Sequence, residues 1–486
     1  MSAPPAAATP RVHSAARVLR NTLALALGRN LIALMRLGML AIVARSLGTG
    51  TFGQYALLIA LMQVAEGLLD FGSNEVFVRE VSSQPARRSH LLRVLATGRL
   101  LQAPLAWAAL VGATVVLGYD RPIVEAAAIG GLSLVFLGGV LVYRVVFRTE
   151  LTMEREIAAE LVSVVAMIGG LLWVAHSGGG IVEVMACHAA SRAIYFAMAW
   201  LLGRREFAFS LAGVTRADLA WSWRICAAVG VLGFLGMAYD PIDVMVLSRL
   251  RGFEDTAHFA AAQRLAWPLL MTLAAVGGTL YSVAAAAWPH DLPGLERACQ
   301  RGFDAVAVFG LAAVTGGIAG AEFLLTLIGP EMVAGAPAFG ILLVLCVVKS
   351  ISMTLGPVLL VVRAQRAALA IVGSALAIKV LACLAIVPRF GFVGLAWTAL
   401  VVEIVCVAIP AVIVVSRLAG IRLRYGVPIR AALICAIATV ATEAWLGPHG
   451  PLPALVAPTI YVALAIATST LRLADLRAIK NPGGAA

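Results

Sequence analysis

The sequence predicts an all-α integral membrane protein of about 14 transmembrane helices, arranged as two parallel-related six-helix lobes followed by two C-terminal helices. Three observations lead there: composition, an alternation of basic residues, and an internal repeat. Apolar residues make up 61% of the 486-residue chain and charged ones 13%, with a mean hydropathy of +0.96. A soluble domain carries roughly 25% charged residues. The net charge of +12 is spread as arginines through short gaps between apolar runs. That spread fits orientation in a membrane, not a nucleic-acid patch.

The repeat centres on Arg45-Ser-Leu-Gly-Thr-Gly-Thr-Phe-Gly-Gln-Tyr-Ala56. A relative begins at Arg249 as Arg-Leu-Arg-Gly-Phe-Glu-Asp-Thr-Ala-His-Phe-Ala260. Each copy joins two apolar runs, as the outer hinge of a helical hairpin would. A second match pairs Gly180…Arg192 with Gly391…Glu403. Segments one to six therefore pair with seven to twelve. Because six is even, the halves share orientation about an axis along the membrane normal, with the working site between them.

The apolar segments fall near 23–44, 54–78, 91–117, 122–143, 157–175, 181–203, 221–248, 257–286, 301–328, 334–362, 367–387, 392–416, 428–446 and 453–471. Each is long enough to cross a bilayer at about 20 residues per span. Turn residues separate them, as at His176-Ser-Gly-Gly-Gly-Ile181 and Val387-Pro-Arg-Phe-Gly-Phe392. The expected organisation is a cytoplasmic tail over 1–22, an N-lobe over 23–203, a cytoplasmic linker over 204–220, a C-lobe over 221–416, an appendage over 428–471 and a second tail over 472–486.

Alternate gaps carry the cations. One set comprises Arg11, Arg17 and Arg20; Arg79, Arg87, Arg88 and Arg93; Arg144, Arg148 and Arg155; Arg204, Arg205, Arg216 and Arg224; Arg297 and Arg301; Arg363 and Arg366; Arg417, Arg422, Arg424 and Arg430; and Arg472, Arg477 and Lys480. The other set has only Arg45, Arg121, Arg249, Arg251 and Arg389. The richer side is the cytoplasmic one, so both termini are expected in the cytoplasm. No apolar run precedes Ala24-Leu-Ala26, so no cleaved leader is expected. The seven cysteines form no CxxC pair and read as small core residues.

Two stretches now resemble a known family. Ala44-Arg-Ser-Leu-Gly…Phe-Gly-Gln-Tyr-Ala, continued by Leu69-Asp-Phe-Gly-Ser-Asn-Glu-Val-Phe-Val-Arg79, is similar to the amino-terminal signature of polysaccharide-unit (Wzx-type) flippases. These belong to the multidrug/oligosaccharidyl-lipid/polysaccharide (MOP) exporter superfamily. Asp243-Val-Met-Val-Leu-Ser-Arg249 resembles the start of their second lobe. The second hinge departs from the family pattern, with Ala257-His-Phe where Gly-x-Tyr is common. The resemblance implies a MATE-like fold and alternating access. It also implies translocation of an undecaprenyl-pyrophosphate-linked oligosaccharide across a bacterial cytoplasmic (inner) membrane. Expected partners are membrane lipids and, for surface polysaccharide assembly, a polymerase and chain-length regulator. No cofactor, metal or nucleic acid is expected; coupling to a H+ or Na+ gradient and the membrane potential are the candidate drives.

Several charges lie inside the apolar runs. A central cation facing lipid costs roughly 2.5–3.5 kcal/mol, so these groups must face a wet cavity or one another. The basic ones are Arg29, Arg36, Arg99, Arg192, Arg264, Lys349 and Lys379. The acidic ones include Glu66, Asp70, Asp240, Asp243, Glu322 and Glu403. An excess of cations suits a pyrophosphate, which arginine forks bind bidentately. Arg36 and Lys349 are expected to line the cleft, with Lys379 and Arg99 in support and Arg192 and Arg264 as further candidates. Arg29, Arg99 and Arg264 lie nearer the span ends, where snorkelling is the alternative; an ion pair within the lobe is the alternative for Arg192. Glu66, Asp70, Asp240, Asp243 and Glu403 are the candidates for coupling or gating, with pairing to arginine as the alternative. Gln63, Tyr143, Tyr239 and Trp267 are candidate sugar contacts.

The nearest rival functions are a drug–cation antiporter of the same fold, which favours an acidic cavity, and a lipid II flippase, which shares the charge logic. A membrane glycosyltransferase or polymerase would carry a long outer loop with catalytic carboxylates. The outer gaps here are short, and His290 and Asp291 read as a solvated turn. No enzyme chemistry is expected.

Overall fold

The computed structural model describes residues 15–471, apart from 211, 363, 448 and 449, and those residues form helices and turns without a strand. The expected tails therefore lie mostly outside the described residues, as do Arg11, Arg363, Arg472, Arg477 and Lys480. Helix α1 already begins at Ala15, inside the expected tail. Ala15-Ala-Arg-Val-Leu-Arg20 is made almost wholly of good helix formers.

The N-lobe holds α1 (Ala15–Asp70), α2 (Ser73–Ser83), α3 (Arg88–Val116), α4 (Arg121–Gly131), α5 (Ser133–Thr149), α6 (Met153–Ser177) and α7 (Ile181–Gly203). The C-lobe holds α8 (Arg216–Tyr239), α9 (Pro241–Leu250), α10 (Phe253–Ala287), α11 (Leu292–Ala319), α12 (Ala321–Ile328), α13 (Ala336–Val361), α14 (Gln365–Val402) and α15 (Ile409–Ala419). The last two, α16 (Gly426–Leu446) and α17 (Pro451–Ala467), pack on α11. Among the described residues, eleven helical stretches are long and apolar enough to cross a membrane, and α17 is a shorter apolar helix. Large apolar side chains such as Leu105, Trp173, Leu381 and Trp445 face outward, where lipid would cover them.

Helix breaks follow the local chemistry. The first hinge turns at Gly48, whose φ of 81° suits glycine. The turn expected between segments eleven and twelve is a kink inside α14 at Gly391, φ 57°. Pro241 separates α8 from α9 because it has no N–H to continue the ladder. The lobe linker ends at Thr215, whose Oγ1 accepts from the Asp218 N–H at 3.2 Å while the Asp218 carboxylate accepts from the Thr215 N–H at 2.9 Å. That reciprocal cap starts α8.

The lobes meet chiefly where α1 packs on α8, α9, α10 and α12. The two hinges touch: a Cβ on Gly53 would strike the Phe253 carbonyl, so the absence of a side chain lets α1 and α10 approach closely. Tyr119 stacks obliquely near Phe253, centroids 6.4 Å apart, and His258 reaches the Glu331 carbonyl at 3.1 Å. We call this the hinge end. At the other end, His90 pairs with Asp218 at 3.2 Å and Arg93 donates to the Ala212 carbonyl at 2.9 Å.

Candidate functional site

Below the hinge contact, a pocket opens between α1 and α10. Ala56, Ala60 and Gln63 line one side; Ala260, Arg264 and Trp267 line the other. The repeat places these in register as Ala56 with Ala260, Ala60 with Arg264 and Gln63 with Trp267. The pocket therefore lies on the pseudo-two-fold. The symmetry is kept in the Ala56–Ala260 pair, whose small side chains let the helices cross, and broken in the other two pairs.

Three guanidiniums, Arg264, Arg36 and Arg192, gather around Tyr55 next to this pocket. Arg264 lies over the Trp267 ring, 5.2 Å from its centroid, and within electrostatic reach of Arg36 and Tyr55. Arg192 also acts on Tyr55. Two of the three have carboxylates: Arg36 meets Glu160 at 2.6 Å and Arg192 meets Glu66 at 3.6 Å. Arg264 makes no ion pair among the described residues. Three cations against two carboxylates leave one positive charge on the axis. Arg36 stays half exposed, 52% at its side chain. Buried His188 lies within reach of both Arg36 and Arg192.

A second network occupies the C-lobe. Lys349 on α13 binds both oxygens of the Asp240 carboxylate. Lys379 on α14 meets Asp243 at 2.9 Å and donates to the Tyr239 carbonyl at 2.9 Å. Both ammoniums lie over the Tyr239 ring, Lys379 at 4.1 Å and Lys349 at 5.2 Å from its centroid. Glu403 opens a π-helical turn, Glu403–Ala408, and is buried within electrostatic reach of Lys349 and Lys379. Such turns widen a helix by one residue and recur at functional sites. Asp240 also lines the axial pocket, so it joins this network to the arginine cluster.

A third pair lies in the N-lobe. Arg99 on α3 donates to Asp70 at 2.6 Å, and Asn74 holds the same oxygen at 2.7 Å. The chain turns directly after, through Phe71 at φ 37° and Gly72 at φ 70°.

The candidate residues thus divide. Arg36, Arg192 and Arg264 gather at the axis with Glu66, and no contact joins Arg36 to Lys349. Lys379 is 1% exposed and Arg99 2%; each is held by its own carboxylate, away from the cleft surface in this conformation. Arg29 is exposed. Tyr143 is core: it packs on Phe147 and Phe196 inside the N-lobe and on Phe207 of the linker. Gln63 and Trp267 do line the pocket. Asp291 caps α11 by accepting from the Gly294 N–H at 2.8 Å. Sequence reasoning passed over Glu160, Tyr55, His188 and Gln263. Glu160 sits close enough to the end of its apolar run to read as an interfacial charge. Among the described residues no cluster of three or more metal-capable side chains occurs.

The family described as "Polysaccharide biosynthesis protein" matches residues 18–285, more than half of the chain. The chain belongs to this family. Among solved structures, this member of the polysaccharide biosynthesis family is similar to a lipid II flippase, MurJ, in an inward closed conformation. The TM-score is 0.75 at 11% identity, covering 93% of this chain and 99% of that one. It is also similar to a multidrug resistance MATE family transporter of the MOP superfamily in an inward-facing conformation, with TM-score 0.64, 16% identity, and 82% and 99% covered. A MOP superfamily transporter from Pyrococcus furiosus, described as having a binding pocket of reversed polarity, aligns with TM-score 0.57 at 17% identity, with 83% and 96% covered. These likenesses show that the chain shares the fold of these transporters. A comparison with curated proteins gives no match.

Proposed function

We propose that this multi-pass membrane protein flips polyprenyl-pyrophosphate-linked oligosaccharide units across a bacterial inner membrane by alternating access, with no chemistry of its own. The observation that carries the reading is the uncompensated Arg264 on the lobe axis, beside half-exposed Arg36, in a member of the polysaccharide biosynthesis family. A pyrophosphate offers concentrated negative charge and pairs of oxygens that match guanidinium forks. Charges contributed by both lobes bind one anion across the axis, and rocking of the lobes changes the side it faces.

The lobes run over 23–203 and, because α8 starts earlier than the expected 221, over 216–416, joined by a linker that ends at Thr215, with 428–471 as an appendage. Dividing the two kinked stretches at Gly48 and Gly391 and including Pro451–Ala467 gives fourteen passes, with both termini cytoplasmic. The hinge end then faces away from the cytoplasm. Lys349, Lys379 and Arg99 support the site through their carboxylates. Coupling to a H+ or Na+ gradient runs through Glu403, with Glu66, Asp70, Asp240 and Asp243 in gating. A polymerase and chain-length regulator would use the product.

The test is flipping in proteoliposomes of a fluorescent polyprenyl-pyrophosphate oligosaccharide, with lipid II as a second substrate. Loss of flipping in Arg36→Ala/Arg264→Ala at normal protein recovery supports the site. Wild-type rates in that variant refute it. Faster transport of lipid II than of the oligosaccharide assigns the other substrate.

A further inference from the structure

Arg45 and Arg249 open the two copies of the hinge, and each reaches out of its own lobe. Arg45 donates through Nε to the Ile328 carbonyl at 3.2 Å, and through Nη2 to the Thr326 and Leu327 carbonyls at 2.9 and 3.0 Å. Arg249 donates through Nη1 to the Gly118 carbonyl at 3.3 Å and lies over the Tyr119 ring, 5.1 Å from its centroid. The Tyr119 hydroxyl in turn shares a 2.6 Å hydrogen bond with Ser248, the neighbour of Arg249.

The acceptors are related as well. Gly118 follows the end of α3, and residues 326–328 end α12. Both are carboxyl ends of helices, where carbonyls lack an intrahelical partner and carry the negative pole. Each corner also carries an apolar residue followed by glycine: Leu117-Gly118 in the N-lobe, Ile328-Gly329 in the C-lobe. The hinge arginine of the N-lobe thus docks on the C-lobe corner, and the hinge arginine of the C-lobe docks on the N-lobe corner.

We propose that Arg45 and Arg249 are a reciprocal pair of latches that hold the hinge end of the cleft shut, and that each transport cycle breaks and remakes both. The chemistry suits a reversible contact. The acceptors are neutral carbonyls, not carboxylates, and both arginines are exposed. A released guanidinium therefore rehydrates at once. The Lys379–Asp243 pair has no such escape, being sealed on both sides. Closure at two related points also resists rotation of one lobe on the other, which a single bond would permit. The latch concerns which side the cleft opens to, whatever it carries, so it stands or falls apart from the identity of the substrate.

The experiment uses the full chain in nanodiscs, with the native cysteines replaced and spin labels at Asp120→Cys and Glu331→Cys. Both positions are exposed, beside the two corners on opposite lobes. Pulsed electron paramagnetic resonance then reads the distance across the hinge end. The expected result is one short distance in the parent. In Arg45→Ala/Arg249→Ala a longer distance appears, with the open-to-closed ratio raised about tenfold or more by the loss of charge-assisted bonds. Each single variant shifts part of the way. Arg45→Lys/Arg249→Lys keeps charge but loses the multi-donor fork, and falls between parent and alanine pair. Superimposable distances in parent and alanine pair overturn the proposal. So does a shift produced by one arginine alone, or lower thermal stability without a longer distance. If the alanine pair is not recovered as monodisperse protein, the lysine pair decides: parent-like distances there overturn the latch as well.

Discussion

The Lys379 ammonium lies 2.9 Å from the Asp243 carboxylate, with both side chains closed off from solvent. A pair so desolvated holds its helices together because neither charge can stand alone there. Removing one partner of a buried pair costs about 3–5 kcal/mol, whereas replacing both with neutral groups can be nearly free. Lys379→Met should therefore unfold at a markedly lower temperature in detergent, and Lys379→Met/Asp243→Asn should recover most of the loss. A wild-type melting temperature in Lys379→Met would remove the structural role of the pair and return Lys379 to the cleft.

In the C-lobe network, the carboxylates of Asp240, Asp243 and Glu403 face the ammoniums of Lys349 and Lys379. Asp240 and Asp243 each have a cation in direct contact; Glu403 makes no ion pair among the described residues. Of the three, Glu403 is therefore the carboxylate that can exchange a proton without breaking an ion pair. Glu403→Gln should flatten the pH dependence of transport in proteoliposomes. Glu66→Gln should leave the pH profile in place while loosening Arg192, 3.6 Å away. Full activity with an unaltered pH profile in both variants would rule out coupling at either position.

Orientation is checked by labelling single cysteines with an impermeant maleimide in intact cells. Thr49→Cys and Glu254→Cys, on the two hinges, should react from outside. Ala86→Cys should react only once the inner face is reached. On the second inner gap Ala364 is itself buried, so the exposed neighbour Gln365 is the position to use. Protection of residue 49 from the outside reagent, with labelling from the cytoplasm, would invert the topology.

The architecture was legible because a bilayer allows few solutions. Each apolar run must satisfy its backbone within a helix, and the hinge copies at Arg45 and Arg249 gave the duplication directly. The site was legible only in part. Sequence shows that Arg36, Arg264, Lys349 and Lys379 lie inside apolar runs, but not which carboxylate each meets. The pairing depends on how helices rotate against one another, and residues far apart in the chain supply it: Glu160 for Arg36, Asp240 for Lys349. The in-register pairs Ala60 with Arg264 and Gln63 with Trp267 were present in the repeat, and their meaning emerged only when α1 and α10 were seen to share one pocket.

That pocket separates two kinds of recognition. Arg264 presents charge, whereas Gln63 and Trp267 contribute an amide and an indole on opposite sides of the axis. Neither amide nor indole adds charge, so neither should matter greatly for a pyrophosphate alone. A sugar offers hydroxyls for the amide and a C–H face for the ring. Gln63→Ala and Trp267→Ala should therefore weaken binding of a polyprenyl-pyrophosphate oligosaccharide, each by about 0.5–1.5 kcal/mol, or roughly two- to tenfold. Binding of the same lipid pyrophosphate without sugar should stay within error of wild type. Arg264→Ala should weaken both ligands alike. Fluorescence binding titrations on the purified protein, with the two lipids in parallel, measure the difference. Trp267 also packs against the Arg264 guanidinium, 5.2 Å from ring centroid to carbon, so Trp267→Phe serves as the control that keeps a ring beneath the cation. Equal losses for both lipids in Gln63→Ala and Trp267→Ala would mean that these side chains only shape the anion site, and would leave sugar recognition to some other surface of the cleft.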